Sequence, residues 1–155
     1  LAFGTGTHET TRLCLEYLDA IEVGGLHVID YGCGSGILAI AAALLGAKKV
    51  TGIDNDPQAL AATAENAKRN SVDIDTHFPG VALVPSEIVV ANILAQPLME
   101  LAPILIKAMK PDGLLILSGI MSGQADLVVE AYVDQVDLVN RTELNGWVRL
   151  VWKRT

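Results

Sequence analysis

Three short runs in this 155-residue chain have residue types and spacing suited to ligand chemistry. The first is Asp30-Tyr31-Gly32-Cys33-Gly34-Ser35-Gly36, set between an apolar run and an Ala-rich run. Glycines at alternate positions let a backbone turn sharply and approach a ligand with no Cβ in the way. Free N–H groups at the start of the following helix would attract negative charge. A dinucleotide loop is written G-x-G-x-x-G. Here the third glycine comes one place early, and Ile37 stands where that glycine would be. The second run is Asp54-Asn55-Asp56, about 20 residues past the loop, where an acid can accept hydrogen bonds from both hydroxyls of a ribose diol. Asp54 suits that role, whereas Asp56 precedes Pro57 and suits a helix N-cap. The third run is Asn92-Ile93-Leu94-Ala95. The Asn92 carbonyl could accept from an amine and aim its lone pair, or the residue could simply turn the chain at a strand end.

The surrounding pattern supplies elements to hold these runs. Helical spacing of Leu13, Tyr17 and Leu18 predicts a helix over His8–Ala20, broken by Gly24-Gly25. Leu26–Tyr31 reads as a buried strand leading into the glycine loop, and Ile37–Leu45 as a helix stopped at Gly46. Lys49–Ile53 is a second strand, followed by a helix from Pro57 to about Asn70. Val72–His77 is a weak strand, Phe78–Pro85 a loop, and Glu87–Ala91 a strand. Pro97–Met109 reads as a helix that Pro103 kinks or divides. Leu114–Ser118 follows the Asp112-Gly113 turn as a strand, and Gly123–Val133 is a helix. Val136–Glu143 and Trp147–Lys153 form a hairpin about Asn145-Gly146. Alternating strands and helices predict an α/β fold of Rossmann-like type, a mostly parallel seven-stranded sheet with helices on both faces and a C-terminal antiparallel hairpin. Ligands of such sheets bind beyond the carboxyl ends of the strands, where the strand order switches.

Composition excludes several classes. Hydrophobic residues make up 51% and charged residues 19%, which rules out intrinsic disorder. The formal net charge is −7 and basic residues come only in pairs, so direct binding of nucleic acid is not expected. A basic protein partner fits this charge. No apolar stretch approaches the ~20 residues that a membrane helix needs. There is no signal-peptide pattern at Leu1, so a cytoplasmic location is expected. Cys14 and Cys33 lack metal-binding spacing and read as reduced thiols rather than a disulfide; no metal site is expected. His8 with Glu9 reads as a helix start, His27 and His77 as isolated residues, and Trp147 and Trp152 as packing. Cys33 matters through its backbone.

The D-x-G-x-G-x-G spacing of Asp30–Gly36 resembles the first motif of Rossmann-like methyltransferases that use S-adenosylmethionine. The opening Leu1-Ala2-Phe3-Gly4-Thr5-Gly6-Thr7-His8-Glu9-Thr10-Thr11, taken with Val90–Ala95, is similar to the catalytic domain of the ribosomal protein L11 methyltransferase (PrmA-type) family. The likeness runs from Leu1 to about Trp152. It implies S-adenosyl-L-methionine as cofactor and N-methylation of lysine, with α-amino groups as further targets, on a large-subunit ribosomal protein. It implies cofactor contacts from Thr11, Gly32, Gly34 and Asp54, and a catalytic Asn92 facing both cofactor and amine. Phe3 and Thr7 fall in the matched loop, as a lid over the cofactor. Residues 1–155 correspond to the catalytic domain, and the family's amino-terminal substrate-recognition domain has no counterpart here. The Pro-Pro-Tyr that often follows this Asn in N-methyltransferases is missing, which counts against a planar amide or base as target. Two other readings stand beside this one. One is a methyltransferase for another amine; the other is a nicotinamide dehydrogenase or a cofactor-binding module without activity.

Overall fold

A computed structural model describes the backbone of residues 7–155 and the side chains of 8–155. The elements in chain order are α1 (Thr7–Ala20), β1 (His27–Tyr31), α2 (Ile37–Leu44), β2 (Lys49–Ile53), α3 (Pro57–Arg69), β3 (Asp75–His77) and β4 (Ser86–Asn92). There follow α4 (Ala95–Glu100), α5 (Ala102–Lys107), β5 (Met109–Met121), a 3-10 turn (Ser122–Gln124), α6 (Ala125–Ala131), β6 (Val136–Leu144) and β7 (Trp147–Arg154). The seven strands form one sheet in the order β3-β2-β1-β4-β5-β7-β6. Pairs from β3 through β5 are parallel, whereas β7 runs antiparallel to both β5 and β6. The expected α/β architecture is therefore present, terminal hairpin included.

Side-chain alternation along the strands builds two cores. Ile29, Val89, Ala91, Leu115 and Leu117 face α4, α5 and α6. Val28, Val50, Ile88, Val90 and Ile116 face Cys14 and Leu18 of α1 and Leu38, Ala39 and Ala42 of α2. Period-two burial in both directions is what a sheet covered on both faces requires. The hairpin turn at Asn145-Gly146 has positive φ at both residues (51° and 84°), the primed geometry that matches strand twist.

Several boundaries differ from the sequence expectation. The Pro97–Met109 helix is two helices, α4 and α5, divided at Leu101 rather than at Pro103. Pro103 lies in the first turn of α5, where a missing N–H costs nothing. The third strand is only Asp75–His77: its pairing with β2 begins at Thr51 opposite Asp75, and residues 72–74 join no ladder. The β5 strand starts at Met109, and the Asp112-Gly113 turn is a bulge inside it: Asp112 has φ 65°, and pairing to β4 resumes at Leu114. The segment expected as a helix from Gly123 opens instead as the 3-10 turn, and α6 ends at Ala131.

Helix α1 is tied to the sheet by polar contacts distant in sequence. Buried Arg149 on β7 donates from Nη1 to the Leu13 carbonyl at 2.9 Å and from Nη2 to Asn140 Oδ1 and Thr142 Oγ1, both at 2.9 Å. Its guanidinium also sits 4.8 Å from the centre of the Tyr17 ring. Ser118 Oγ on β5 donates to the Thr10 carbonyl at 3.0 Å. Arg149→Ala is expected to lower the unfolding free energy by about 2–4 kcal/mol, through lost charged hydrogen bonds and lost packing. Urea denaturation checks this, and a loss under about 0.5 kcal/mol, typical of a surface change, contradicts it.

Candidate functional site

Strand order reverses between β1 and β4, which lie side by side with Asp30 opposite Val90. The chain leaves β1 toward α2 on one face and leaves β4 toward α4 on the other. A crevice opens between them at the carboxyl edge, as expected for such a switch point. It holds a cavity of about 710 Å³ whose walls include Thr11, Asp30, Gly32–Ser35, Asp54–Asp56 and Asn92–Leu94. Ala59, Pro79, Pro97 and Leu101 complete the apolar side. Thus Thr11, Gly32, Gly34, Asp54 and Asn92 come together as the sequence indicates. Phe3 lies outside the described residues, and so does the side chain of Thr7.

The glycine loop is held through its backbone N–H groups, mostly by the end of β2 and the residue after it. The N–H groups of Gly32 and Cys33 both donate to the Ile53 carbonyl, at 2.7 and 2.9 Å. Gly34 N–H donates to Asp54 Oδ2 at 3.0 Å, and Gly36 N–H to the Cys33 carbonyl at 2.8 Å. These four loop N–H groups have partners, and in the first turn of α2 the Ala39 N–H is taken by Asp30 Oδ2 at 3.1 Å. Gly34 can therefore meet a ligand through its bare Cα, where an added Cβ would enter open space. Gly32 needs to be glycine for another reason. It has φ 81°, and a Cβ there would come within 2.5 Å of Ile93 Cγ2.

Asp54 holds two N–H groups, Gly34 on Oδ2 and Asp56 on Oδ1 at 2.9 Å. An ionised carboxylate has about four acceptor positions, so capacity for a diol remains. Asp56 is the N-cap of α3, accepting from Gln58 N–H at 2.9 Å, as its place before Pro57 suggests. Asn92 Nδ2 reaches Thr11 Oγ1 at 3.4 Å, a long contact between α1 and β4. Its Oδ1 is buried and has no hydrogen-bond partner among the described residues. An orphaned buried acceptor is costly, and here it sits in a residue that lines the cavity. Three carboxylates and no lysine or arginine line the cavity among the described residues.

Of the other candidates, Cys33 lines the cavity and His77, Trp152 and Cys14 do not. His77 is not isolated: Nε2 lies 2.9 Å from Asp75 Oδ2, two residues back on the same face of β3. Trp152 is buried against Tyr132. Both cysteines are free and buried, and burial pushes the Cys33 thiol up to about 12, so its sulfur is unreactive. Among the described residues no group of three His, Cys, Asp or Glu side chains could hold a metal ion, and no helix is long and apolar enough to cross a membrane.

The family described as ribosomal protein L11 methyltransferase (PrmA) matches residues 1–155. The chain belongs to that family. It is 53% identical over 154 residues to the ribosomal protein L11 methyltransferase of Azotobacter vinelandii, covering 97% of this chain and 53% of that protein. It is 54% identical over 158 residues to that of Methylococcus capsulatus, covering 99% and 54%. The chain thus spans about half the length of the curated relatives it matches. The crystal structure of ribosomal protein L11 methylase from Lactobacillus delbrueckii subsp. bulgaricus superposes with a TM-score of 0.87 at 34% identity, over 97% of this chain and 81% of that one. The fold extends further. An RNA methyltransferase from Salinibacter ruber, in complex with S-adenosyl-L-homocysteine, aligns with a TM-score of 0.71 at 20% identity, over 94% and 90% of the two chains.

In this PrmA family member Asp30 is a site residue whose importance the motif alone understates. It lines the cavity, is almost fully buried and accepts from Ala39 N–H at 3.1 Å. Burial raises its carboxyl from an ordinary 3.8 to about 7, against the Ala39 hydrogen bond, and the nearby charge of Asp54 adds to the rise. Below pH 3.8 the carboxyl is protonated in both folded and unfolded chains. Between there and about 7 the folded chain keeps a proton that the unfolded chain has lost, so stability falls as pH rises through that window. Asp30→Asn keeps an acceptor for Ala39 and removes the charge. Its stability relative to the parent chain is expected to improve between pH 5 and pH 8, read from urea midpoints. A difference independent of pH contradicts this.

Proposed function

We propose that residues 1–155 are the catalytic domain of an S-adenosyl-L-methionine-dependent N-methyltransferase acting on lysine side chains, and on α-amino groups by the same chemistry, of a large-subunit ribosomal protein. The observation that carries this reading is Asn92 Oδ1, buried and unpartnered among the described residues, in a residue that lines a cavity together with a glycine loop whose N–H groups are engaged. A loop whose Gly32, Cys33, Gly34 and Gly36 N–H groups are engaged, in a cavity with no lysine or arginine among its described lining residues, is poorly suited to a pyrophosphate. It suits a ligand that brings a ribose and a positive charge but no phosphate. That disfavours the dehydrogenase reading. The names of the Azotobacter and Methylococcus relatives support the ribosomal-protein substrate, and that substrate is consistent with a cytoplasmic location.

Bound S-adenosylmethionine supplies an electrophilic methyl group on sulfur. The remaining work falls to this chain. Asp54 takes the ribose hydroxyls while it holds Gly34 and Asp56 in place. Thr11 engages Asn92 Nδ2 and leaves Oδ1 without a partner among the described residues. Asn92 Oδ1 then accepts an N–H of the incoming amine and points the nitrogen lone pair at the methyl group. An amine with a reference pKa near 10.4 must arrive neutral. It loses its proton to solvent as it enters a site walled by Ile93, Leu94, Pro97 and Leu101, where desolvation disfavours the ammonium form. Alignment and exclusion of water are then the protein's contribution.

Calorimetric titration with S-adenosylhomocysteine and with NAD tests the reading directly. Binding of the first and none of the second is expected; NAD alone overturns the proposal. Incubation of ribosomal proteins with labelled cofactor, followed by mass spectrometry, identifies the modified residue. Binding without transfer to any amine favours a cofactor-binding module. Asp54→Ala is expected to weaken S-adenosylhomocysteine binding ten- to hundredfold, since a charged hydrogen bond is worth about 1.5–3 kcal/mol. Unchanged affinity places Asp54 outside the cofactor site.

A further inference from the structure

Helix α3 contributes two polar side chains to the glycine loop, and neither lines the cavity. Thr63 is fully buried in the middle of the helix. Threonine is a weak helix former there, and its hydroxyl commonly bonds back to the preceding turn. In this chain Thr63 Oγ1 donates to the Gly34 carbonyl at 2.9 Å and lies 3.4 Å from Cys33 Sγ. One helical step further, on the same face, Asn66 Nδ2 donates to the Ser35 carbonyl at 2.8 Å.

These bonds complete a lock. The N–H of Gly34 is held by Asp54 on one side and its C=O by Thr63 on the other. Gly34 and Gly36 have φ of 55° and 88°, so the loop between them has the freedom of glycine and would otherwise sample several peptide orientations. A Cβ on Gly36 would lie 2.9 Å from Thr63 Cγ2 and 3.0 Å from its Oγ1, so the loop and Thr63 fit one another with no slack. The Gly34 N–H and C=O belong to neighbouring peptide units, so Asp54 fixes the Cys33–Gly34 unit and Thr63 the Gly34–Ser35 unit; a flip of the latter would break the Thr63 bond and turn the Gly34 carbonyl away from α3.

We infer that Thr63 and Asn66 are positioning residues of the cofactor site, which keep the Gly34 and Ser35 carbonyls turned toward α3 so that the loop offers its bare Cα wall to the ligand. The inference rests on the S-adenosylmethionine reading above. Its magnitude follows from population arithmetic. If losing the Thr63 hydroxyl leaves one loop in ten correctly oriented, apparent affinity falls tenfold although no ligand contact has been removed.

The test is calorimetric titration of S-adenosylhomocysteine into the whole chain and into Thr63→Val, Thr63→Ser and Asn66→Ala, well below each protein's thermal midpoint. Thr63→Val keeps the bulk and loses the donor; its dissociation constant is expected to rise about tenfold. Thr63→Ser keeps the donor and is expected to stay within about threefold of the parent. Asn66→Ala, at a half-exposed position that leaves the core intact, is expected to weaken binding about threefold to tenfold, and it carries the test if Thr63→Val folds poorly. Affinity unchanged in Thr63→Val and Asn66→Ala, whatever the thermal midpoints do, overturns the inference, because the contacts then serve stability alone. Thr63→Ser as weak as Thr63→Val also overturns it, by assigning the effect to the methyl group. No binding by the unaltered chain overturns the cofactor reading itself and this inference with it.

Discussion

The site depends on one constraint, the place where β1 and β4 run side by side while the segments that follow them leave over opposite faces of the sheet. No backbone bridges the carboxyl edge at that point, so a crevice is unavoidable. Its walls are whatever residues end the two strands: Asp30 and the glycine loop from β1, Asn92 and Ile93 from β4. β2 adds Asp54 from the next strand over. The register that pairs Asp30 with Val90 also places Asp30 and Asn92 on the face covered by α1 and α2. Ala39 can therefore reach Asp30, and Thr11 can reach Asn92.

The crevice would be shapeless without the bonds that close its walls. The glycine loop has four N–H groups anchored within the chain and two carbonyls anchored on α3. Helix α1, which brings Thr11, is fixed from behind by Arg149 and Ser118. Among the described residues that line the cavity, the buried side-chain polar atom left without a partner is Asn92 Oδ1, and the acidic side chains are Asp30, Asp54 and Asp56. A rigid acidic cavity with one unpartnered acceptor is the kind of surface that a cationic, phosphate-free cofactor and an incoming amine can share.

What could be read from the residues alone was mostly local. The strand-loop-helix reading of Asp30–Leu44, the Asp56 cap and the Asn145-Gly146 hairpin depend on neighbours in sequence, and each appears in the fold. The site residues that emerged from the same runs share one cavity. Contacts between distant residues were invisible. Arg149 meets Leu13 across 136 residues and Ser118 meets Thr10 across 108. Thr63 carries no local signal, because its partner is a carbonyl 29 residues earlier. The engaged N–H groups of the loop went unseen for the same reason, since Ile53 and Asp54 arrive from another strand. The sequence places a kink or division at Pro103, whereas the break falls at Leu101 and Pro103 sits harmlessly in the first turn of α5.

The central claim is that the β1–β4 crevice receives an S-adenosyl cofactor, with Asn92 left facing the amine. Nuclear magnetic resonance of the 15N-labelled chain during titration with S-adenosylhomocysteine tests it most directly. The expected result is shifts in the backbone amides of Gly32–Gly36 and Asp54–Asp56 and in the side-chain amide of Asn92, while the β6–β7 hairpin amides stay still. Shifts gathered elsewhere on the chain, with the glycine loop and Asn92 unmoved at saturation, would contradict it.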